Sequence, residues 1–164
     1  MSTITELEEK VKELLDEIET LKREKKNEEF EYSFKNGEEY WLLCPDGRGS
    51  DYMWDGSDFD KTRYSQGNIF KTKAEAEREC DRRLLLTRFR QFRDKCNRDW
   101  KPDFEDGNLG KHYISLNHTT NMLRINFSYN LEDFNLFGYF RRESDAARAI
   151  QLFGDEIKRL YVEE

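Results

Sequence analysis

The sequence predicts an α+β protein in which an N-terminal parallel coiled-coil helix, residues 1–28, precedes a small antiparallel-sheet domain, residues 38–164. Three observations predict this fold class. A heptad pattern of apolar residues opens the chain, and two later segments alternate aromatic with polar residues as half-buried strands do. The helix-forming segments that follow them resemble each other, which indicates that the domain consists of two strand–strand–helix repeats.

Apolar residues near the start of the chain recur at the spacing of a coiled coil. β-Branched residues occupy every a position of the heptad, and leucine occupies every d position. These residues are Ile4, Leu7, Val11, Leu14, Ile18 and Leu21. This combination favours two parallel strands, and Glu17 at position g would pair with Lys22 at position e of the partner helix. Thr3 and Glu6 form a capping box that starts the helix. We therefore expect a parallel homodimer or a higher oligomer, with a helix folded back on its own domain as the alternative.

Two segments of the domain can be aligned with each other. Residues 70–80 match residues 140–150, with Phe, Ala and Arg at the same offsets. An internal match of this kind indicates a supersecondary unit that occurs twice. We therefore divide the domain into halves of about 38–100 and 110–164. A chance similarity between two strand–helix junctions is the alternative.

Each half begins with a predicted hairpin and ends in a helix. The predicted strands are residues 39–44, 51–54, 113–116 and 122–127, with further short strands near 68–70 and 136–140. Thr72 and Glu75 form a capping box for the first helix, which is expected to end near Arg98. The second helix has Arg142 at the matching position, and Ser144 is the candidate for its cap. Together the halves predict one antiparallel sheet with helices on one face.

The balance of charges makes non-specific DNA binding unfavourable. Charged residues form 38% of the chain, and the formal net charge is −7. Most of this acidity lies in residues 1–39, which contain 13 acidic and 7 basic residues. Non-specific binding to DNA needs a basic surface, so we do not expect it. Aromatic residues form 14% of the chain and indicate a folded core.

The cysteines and the apolar segments predict a cytoplasmic protein. Cys44, Cys80 and Cys96 are odd in number and widely spaced, and no signal peptide precedes them, so reduced thiols are expected. No apolar run approaches the ~20 residues that a membrane span needs. We therefore expect no membrane partner.

Motifs of familiar catalytic and metal sites do not occur in the sequence. It has no paired-cysteine zinc pattern, no calcium loop, no phosphate-binding glycine loop and no nucleophile elbow. The only histidines are His112 and His118, which a turn at Asn117 is expected to separate. We therefore expect a non-enzymatic protein with no metal and no cofactor. An enzyme with an unfamiliar site is the alternative.

Two segments contain residue types that bind phosphates and bases. Residues 78–98 carry eight basic residues, and guanidinium groups bind phosphate through paired hydrogen bonds. Residues 54–68 combine aromatic, Arg and Asn side chains that can stack on a base, hold a phosphate and read a base edge. The candidate ligand-binding residues are Trp54, Arg63, Tyr64, Asn68, Arg78 and Arg82. The alternatives are arginines paired with neighbouring carboxylates, and a core role for Trp54 beside a turn at Gly67 and Asn68.

Several motifs spread over most of the chain resemble those of one protein family. They are the heptad start, Lys35-Asn-Gly-Glu-Glu-Tyr-Trp41, Trp54 followed by Asp60-Lys-Thr-Arg-Tyr64, Gly67-Asn-Ile-Phe-Lys-Thr-Lys-Ala-Glu-Ala76, Gly138-Tyr-Phe140 and Leu160-Tyr161. The chain thereby resembles small proteins from phages and prophages of Gram-positive and gut bacteria that have no established activity. The resemblance carries over no catalytic residue. It implies an accessory phage protein that acts inside the infected bacterium.

These observations favour a homodimeric accessory protein that binds and sequesters or inhibits a host factor. The target is either a host protein or a nucleotide immune signal, which would make the chain a counter-defence protein. One alternative is a nucleic-acid-binding module that uses the arginine-rich helix over residues 78–98. Another is a structural protein whose coiled coil joins a larger assembly.

Overall fold

The computed structural model describes residues 4–28, 33–43 and 49–163. These residues form a mixed α+β fold. In chain order the elements are α1 (Ile4–Glu28), β1 (Glu39–Leu43), β2 (Gly49–Met53), α2 (Asp58–Ser65), β3 (Ile69–Phe70), α3 (Lys73–Asn97), β4 (Lys111–Asn117), β5 (Met122–Ser128) and α4 (Glu143–Tyr161). Thr3, which belongs to the predicted capping box of α1, lies outside the described residues, as do Cys44 and most of the predicted turn after it.

Helix α1 forms where the heptad pattern predicts it and leaves its apolar stripe exposed. The six heptad residues are between 46% and 76% exposed, so the stripe does not pack on the domain of its own chain. The pairing of two α1 helices concerns a second chain and stays a prediction. Within the described residues, no helix combines the length and apolarity needed to cross a membrane.

The strands form two separate antiparallel sheets, so the expectation of one continuous sheet is wrong. The first sheet has the order β2-β1-β3, and the second consists of β4 and β5. In each sheet the first strand of the hairpin pairs, on its other edge, with the segment that leads into the next helix. Trp41 pairs with Phe70, and His112 forms a bridge with Phe140. Each hairpin is therefore extended by the segment that leads into the following helix, and not by the other hairpin.

The same connectivity therefore occurs in both parts of the domain. A hairpin is followed by a short segment antiparallel to its first strand, and a helix begins directly after that segment. Phe70 and Phe140, which pair with the two hairpins, are the first residues of the two segments that align in the sequence. The second short strand, expected near residues 136–140, is reduced to the single bridge at Phe140.

The two long helices of the domain begin differently. Helix α3 has the predicted capping box, in which Glu75 N donates to Thr72 Oγ1 (3.2 Å) and Thr72 N donates to Glu75 Oε2 (3.0 Å). Ser144 does not cap α4, because it lies inside the helix. Arg142 occupies the N-cap position without a side-chain cap, and its Nε donates to Asp145 Oδ2 (2.8 Å).

Helix α2 is absent from the sequence prediction. It starts after Ser57, whose Oγ accepts a hydrogen bond from Asp60 N (3.4 Å). It is followed by a turn in which Gly67 has a φ of +66°, a conformation that favours glycine. The helix has eight residues, most of them polar, and so lacks the apolar periodicity that marks a longer helix.

The larger hydrophobic core lies between α3, α4 and the second sheet. Phe89 of α3 is at its centre, with ring centroids 4.7 Å from Phe137, 5.8 Å from Phe140 and 5.4 Å from Phe153. Phe89 and Phe140 have no exposed surface. Tilted and edge-to-face ring pairs of this kind are favoured over parallel sandwiches. The core therefore fixes α3 against α4.

A smaller core lies beside the first sheet and is closed by a buried carboxylate. Phe34, Tyr40 and Trp54 pack together there. Asp60 of α2, 4% exposed, accepts hydrogen bonds from Tyr40 Oη (2.7 Å) and Asp55 N (2.8 Å). Burial, followed by the hydrogen bond to Asp60, raises the pKa of Tyr40. This network attaches α2 to the sheet.

Replacing Asp60 with alanine is expected to destabilise the domain. The change leaves the hydroxyl of Tyr40 and the amide of Asp55 without their acceptor, which costs roughly 1–3 kcal/mol of unfolding free energy. Urea unfolding followed by circular dichroism measures the change. The control is Lys61→Ala on the exposed side of α2, which should stay within about 0.5 kcal/mol of the parent. Equal effects of the two substitutions would contradict the assignment.

Candidate functional site

The candidate residues of the segment 54–68 lie in and around the smaller core. Trp54 is 4% exposed, and its ring stacks on Phe34 at 5.7 Å between centroids. Tyr64 packs edge-to-face against Trp54 at 6.0 Å. Arg63 donates from Nη1 to Tyr40 Oη (3.0 Å). These contacts agree with the alternative interpretation of the sequence, in which Trp54 belongs to the hydrophobic core.

Asn68 joins the turn after α2 to helix α3. Its Oδ1 accepts a hydrogen bond from Arg83 Nη1 (2.8 Å), and the carbonyl of Gly67 accepts from Arg83 Nη2 (2.9 Å). The Nε of Arg83 also donates to Glu79 Oε1 (2.8 Å). The amide of Asn68 therefore has a structural partner in the folded chain.

Arg78 and Arg82 bind the C-terminal end of α4. Arg78 Nη2 donates to the carbonyl of Glu163 (2.6 Å), and Arg82 Nε donates to the carbonyl of Leu160 (2.8 Å). The last carbonyls of a helix have no partner within it, and cations there are favoured by the helix dipole. These two candidate residues thus stabilise the end of the closing helix. A ligand role for the six predicted residues stays a prediction.

A strained turn follows α3 and was not singled out by the sequence. The amide of Trp100 donates to the carbonyl of Asn97 (3.0 Å), which closes a four-residue turn. Arg98, its second residue, has φ 53° and ψ −122°. These angles belong to the first central position of a type II′ turn, which favours glycine. Holding an arginine there costs roughly 1–3 kcal/mol, and such strain is concentrated at functional sites.

The buried amide of Asn97 brings a second arginine to this turn. Asn97 is 8% exposed, and its Nδ2 donates to the carbonyl of Tyr139 (2.8 Å). Its Oδ1 accepts a hydrogen bond from the amide of Arg141 (3.0 Å). One side chain therefore connects the end of α3 to the segment that leads into α4. Arg141 is positioned beside the Arg98 turn as a result.

Two cavities lie at this junction, which we call the α3-end site. The first has a volume of about 530 Å³ and is lined mainly by Arg98, Trp100, Arg141 and Arg142. The second has a volume of about 540 Å³ and includes Arg93, Lys101 and Tyr139 in its lining. Asn97, Arg98 and Trp100 line both cavities. Each volume is in the range of pockets that hold one small molecule.

The lining of the α3-end site is cationic, although the whole chain is acidic. Five basic residues line the two cavities against two acidic ones, Asp94 and Asp99, which gives a net charge of +3. The chain as a whole has a net charge of −7. Arg98, Lys101 and Arg141 form no side-chain hydrogen bond or ion pair with the described residues. Three cations are therefore available to a ligand.

The other two cations of the site are held by the protein. Arg142 binds Asp145, and Arg93 donates to Asp94 Oδ1 (2.7 Å) and to the carbonyl of Phe137 (3.1 Å). Arg93 reaches that carbonyl across Gly138, where a Cβ atom would collide with its guanidinium group. These two arginines contribute charge to the cavities from fixed positions.

Cys96 lines the first cavity but is not a candidate nucleophile. Burial raises the pKa of its thiol, and the nearby carboxylate of Asp145 raises it further. Since the thiolate is the reactive form, this shift disfavours nucleophilic chemistry at Cys96. Cys80 and Cys96 are both free cysteines. Among the described residues, no three His, Cys, Asp or Glu side chains lie close enough to hold a metal ion.

Sequence reasoning included Arg98 among the phosphate-binding cations of residues 78–98 but not among the six candidate residues, and it missed Trp100 and Arg141. One signal was present, since the second repeat has Arg141 and Arg142 where the first has Lys71 and the capping Thr72. The second repeat therefore keeps the cation of the first at Arg141 and has a further cation, Arg142, in place of the capping threonine. Comparisons with protein-family models, curated proteins and solved structures found no match to this chain.

The strain in the Arg98 turn can be measured with two substitutions that remove the same side chain. Arg98→Gly should be more stable than Arg98→Ala by about 1 kcal/mol, because only glycine adopts this backbone conformation without strain. The measurement is the difference in urea unfolding free energy between the two variants. If the alanine variant is as stable as the glycine variant, the turn is not strained.

Proposed function

We propose that this protein is a homodimeric, non-enzymatic binding protein that captures a phosphate-bearing small molecule at the α3-end site. The observation that carries the proposal is the presence of three unpaired cations, Arg98, Lys101 and Arg141, around cavities of small-molecule size. Guanidinium groups bind phosphate oxygens through paired, charge-assisted hydrogen bonds.

The charge distribution supports an anionic ligand. A concave site of net positive charge in an acidic protein attracts anions locally while the remaining surface repels them. The strain at Arg98 supports a functional role, because folding alone would favour glycine at that position. Capture by occupancy requires only that the ligand be held, and the resemblance to phage accessory proteins suggests a host-cell signal as that ligand.

The exposed stripe of α1 supports the dimer. Leu14 is 50% exposed and Ile18 is 46% exposed. Exposure of such apolar side chains to water is unfavourable for a single chain. A second copy in parallel register would cover the stripe and pair Glu17 with Lys22. Three heptads are close to the lower limit for a stable helix pair, so dissociation at high dilution is part of the proposal.

The nucleic-acid alternative has less support from the contacts of α3. Five of the eight cations on which it depends already bind protein acceptors. They are Arg78, Arg82, Arg83, Arg88 and Arg93. Arg88, for example, donates to Glu156 Oε2 on α4 (2.6 Å). Most arginines of the arginine-rich helix therefore attach α3 to neighbouring elements of the fold.

Anion capture can be tested with inorganic pyrophosphate as the probe. Isothermal titration at low salt should show binding to the full chain, and Arg98→Ala or Arg141→Ala should weaken it about tenfold or more, because each removes a charge-assisted hydrogen bond. The matched control is Arg90→Ala, which removes an exposed arginine of α3 that does not line either cavity. Absence of binding, or equal weakening by the control, would refute the proposal.

Dimerisation can be tested by sedimentation of the full chain. The parent should sediment as a dimer at micromolar concentration, and Leu14→Asp should give a monomer, because the substitution places a charge in the apolar stripe. Glu9→Ala, on the outer face of the same helix, should remain dimeric. A parent chain that stays monomeric as concentration rises would contradict the coiled coil.

A further inference from the structure

The geometry points to a nucleoside phosphate, rather than a bare polyanion, as the ligand of the α3-end site. The inference rests on the proposed function and extends it, because it identifies a binding surface for the part of the ligand that carries no charge. That surface is the indole ring of Trp100, which lines both cavities together with Arg98.

Trp100 presents a stacking surface next to the unpaired cations. The residue is half-buried, and among the described residues no aromatic or cationic side chain stacks on its ring. The other two tryptophans differ, since Trp54 is inside the smaller core and Trp41 has Lys73 Nζ 5.8 Å from its ring centroid. Flat nucleobases stack on aromatic side chains of this kind with little dependence on the base.

The residues that would bind the base and the phosphate are held together through their backbones. The hydrogen bond from the backbone amide of Trp100 to the carbonyl of Asn97 holds the backbone of Trp100 in the turn whose second residue is Arg98. The side chain of the same Asn97 holds the backbone of Arg141. A ligand that stacks on Trp100 therefore has Arg98 and Arg141 within the same cavity for its phosphate.

The size and lining of the cavities disfavour a bare anion. A single phosphate would occupy a small part of a cavity of about 530 Å³ and would leave the indole ring in water. Ligand pockets are generally lined by apolar and aromatic groups, with a few polar groups that fix orientation. Trp100, with Tyr139 and Pro102 in the second cavity, provides such a lining. A nucleoside phosphate uses both kinds of group.

The experiment compares ligands that share a phosphate and differ in the base. Isothermal titration of the full chain uses AMP, GMP, CMP and UMP separately, with ribose 5-phosphate as the matched ligand without a base. At least one nucleotide should bind about tenfold or more tightly than ribose 5-phosphate, as expected for one stacked base. Trp100→Leu should reduce nucleotide affinity to that of ribose 5-phosphate and leave ribose 5-phosphate binding unchanged.

A second substitution at Trp100 is the control for a folding defect. Trp100→Phe keeps an aromatic ring and should retain part of the preference for nucleotides, and circular dichroism verifies that both variants are folded. If ribose 5-phosphate binds as tightly as every nucleotide and binding is lost in Arg98→Ala, the nucleotide inference is wrong and the proposed anion capture stands. If neither these ligands nor pyrophosphate binds, both are wrong, whereas binding of pyrophosphate alone refutes only the nucleotide inference. A short single-stranded RNA that binds far more tightly than any mononucleotide would overturn the inference in favour of nucleic acid.

Discussion

The side-chain amide of Asn97 is the contact on which the second part of the domain and the candidate site both depend. It donates a hydrogen bond to the carbonyl of Tyr139 and accepts one from the backbone amide of Arg141. These two residues flank Phe140, which forms the bridge to β4. Buried backbone groups left without such a partner would be costly. At the other end of the helix pair, Arg82 binds the carbonyl of Leu160. Helices α3 and α4 are therefore antiparallel, with hydrogen bonds at both ends of the pair and Phe89 packed between them.

The arginines of α3 divide into two groups according to the acceptors near them. Most of those inside the helix bind carbonyls or carboxylates of neighbouring residues. Arg90 is an exception, because it is exposed and forms no side-chain hydrogen bond with the described residues. Arg98 follows the last residue of the helix, and its side chain forms no hydrogen bond or ion pair with the described residues. The contacts of each side chain therefore separate the arginines that hold the fold together from those that are available to a ligand. Composition alone does not reveal this division.

Much of the fold could be predicted because its signals are local. The heptad of α1, the capping box at Thr72 and the alternation of the hairpin strands each depend on a few neighbouring residues. The prediction joined the two sheets into one. The alternation of apolar and polar residues indicates which face of a strand is buried, but it does not indicate the neighbouring strand with which it pairs. Helix α2 was missed since its stability comes from Asp60 reaching Tyr40, a contact between residues distant in sequence.

The candidate site was the least predictable part of the molecule. Trp54 and Arg63 have residue types suited to a ligand, but the fold places Trp54 in the core and gives Arg63 the hydroxyl of Tyr40. Arg98 and Arg141 are separated by 43 positions (141 − 98 = 43) and come together only through Asn97. Their significance depends on being unpaired, and the absence of a partner is a property of the folded chain that no motif records.

The turn at Arg98 has a consequence for how this sequence would drift over generations. Glycine would relieve the backbone strain at this position, so the arginine lowers the stability of the folded chain. In diverging lineages a change to glycine at this position would be accepted readily in a copy released from the proposed ligand role, because the change removes the strain. The reverse change would mark the acquisition of that role on a scaffold that already folds.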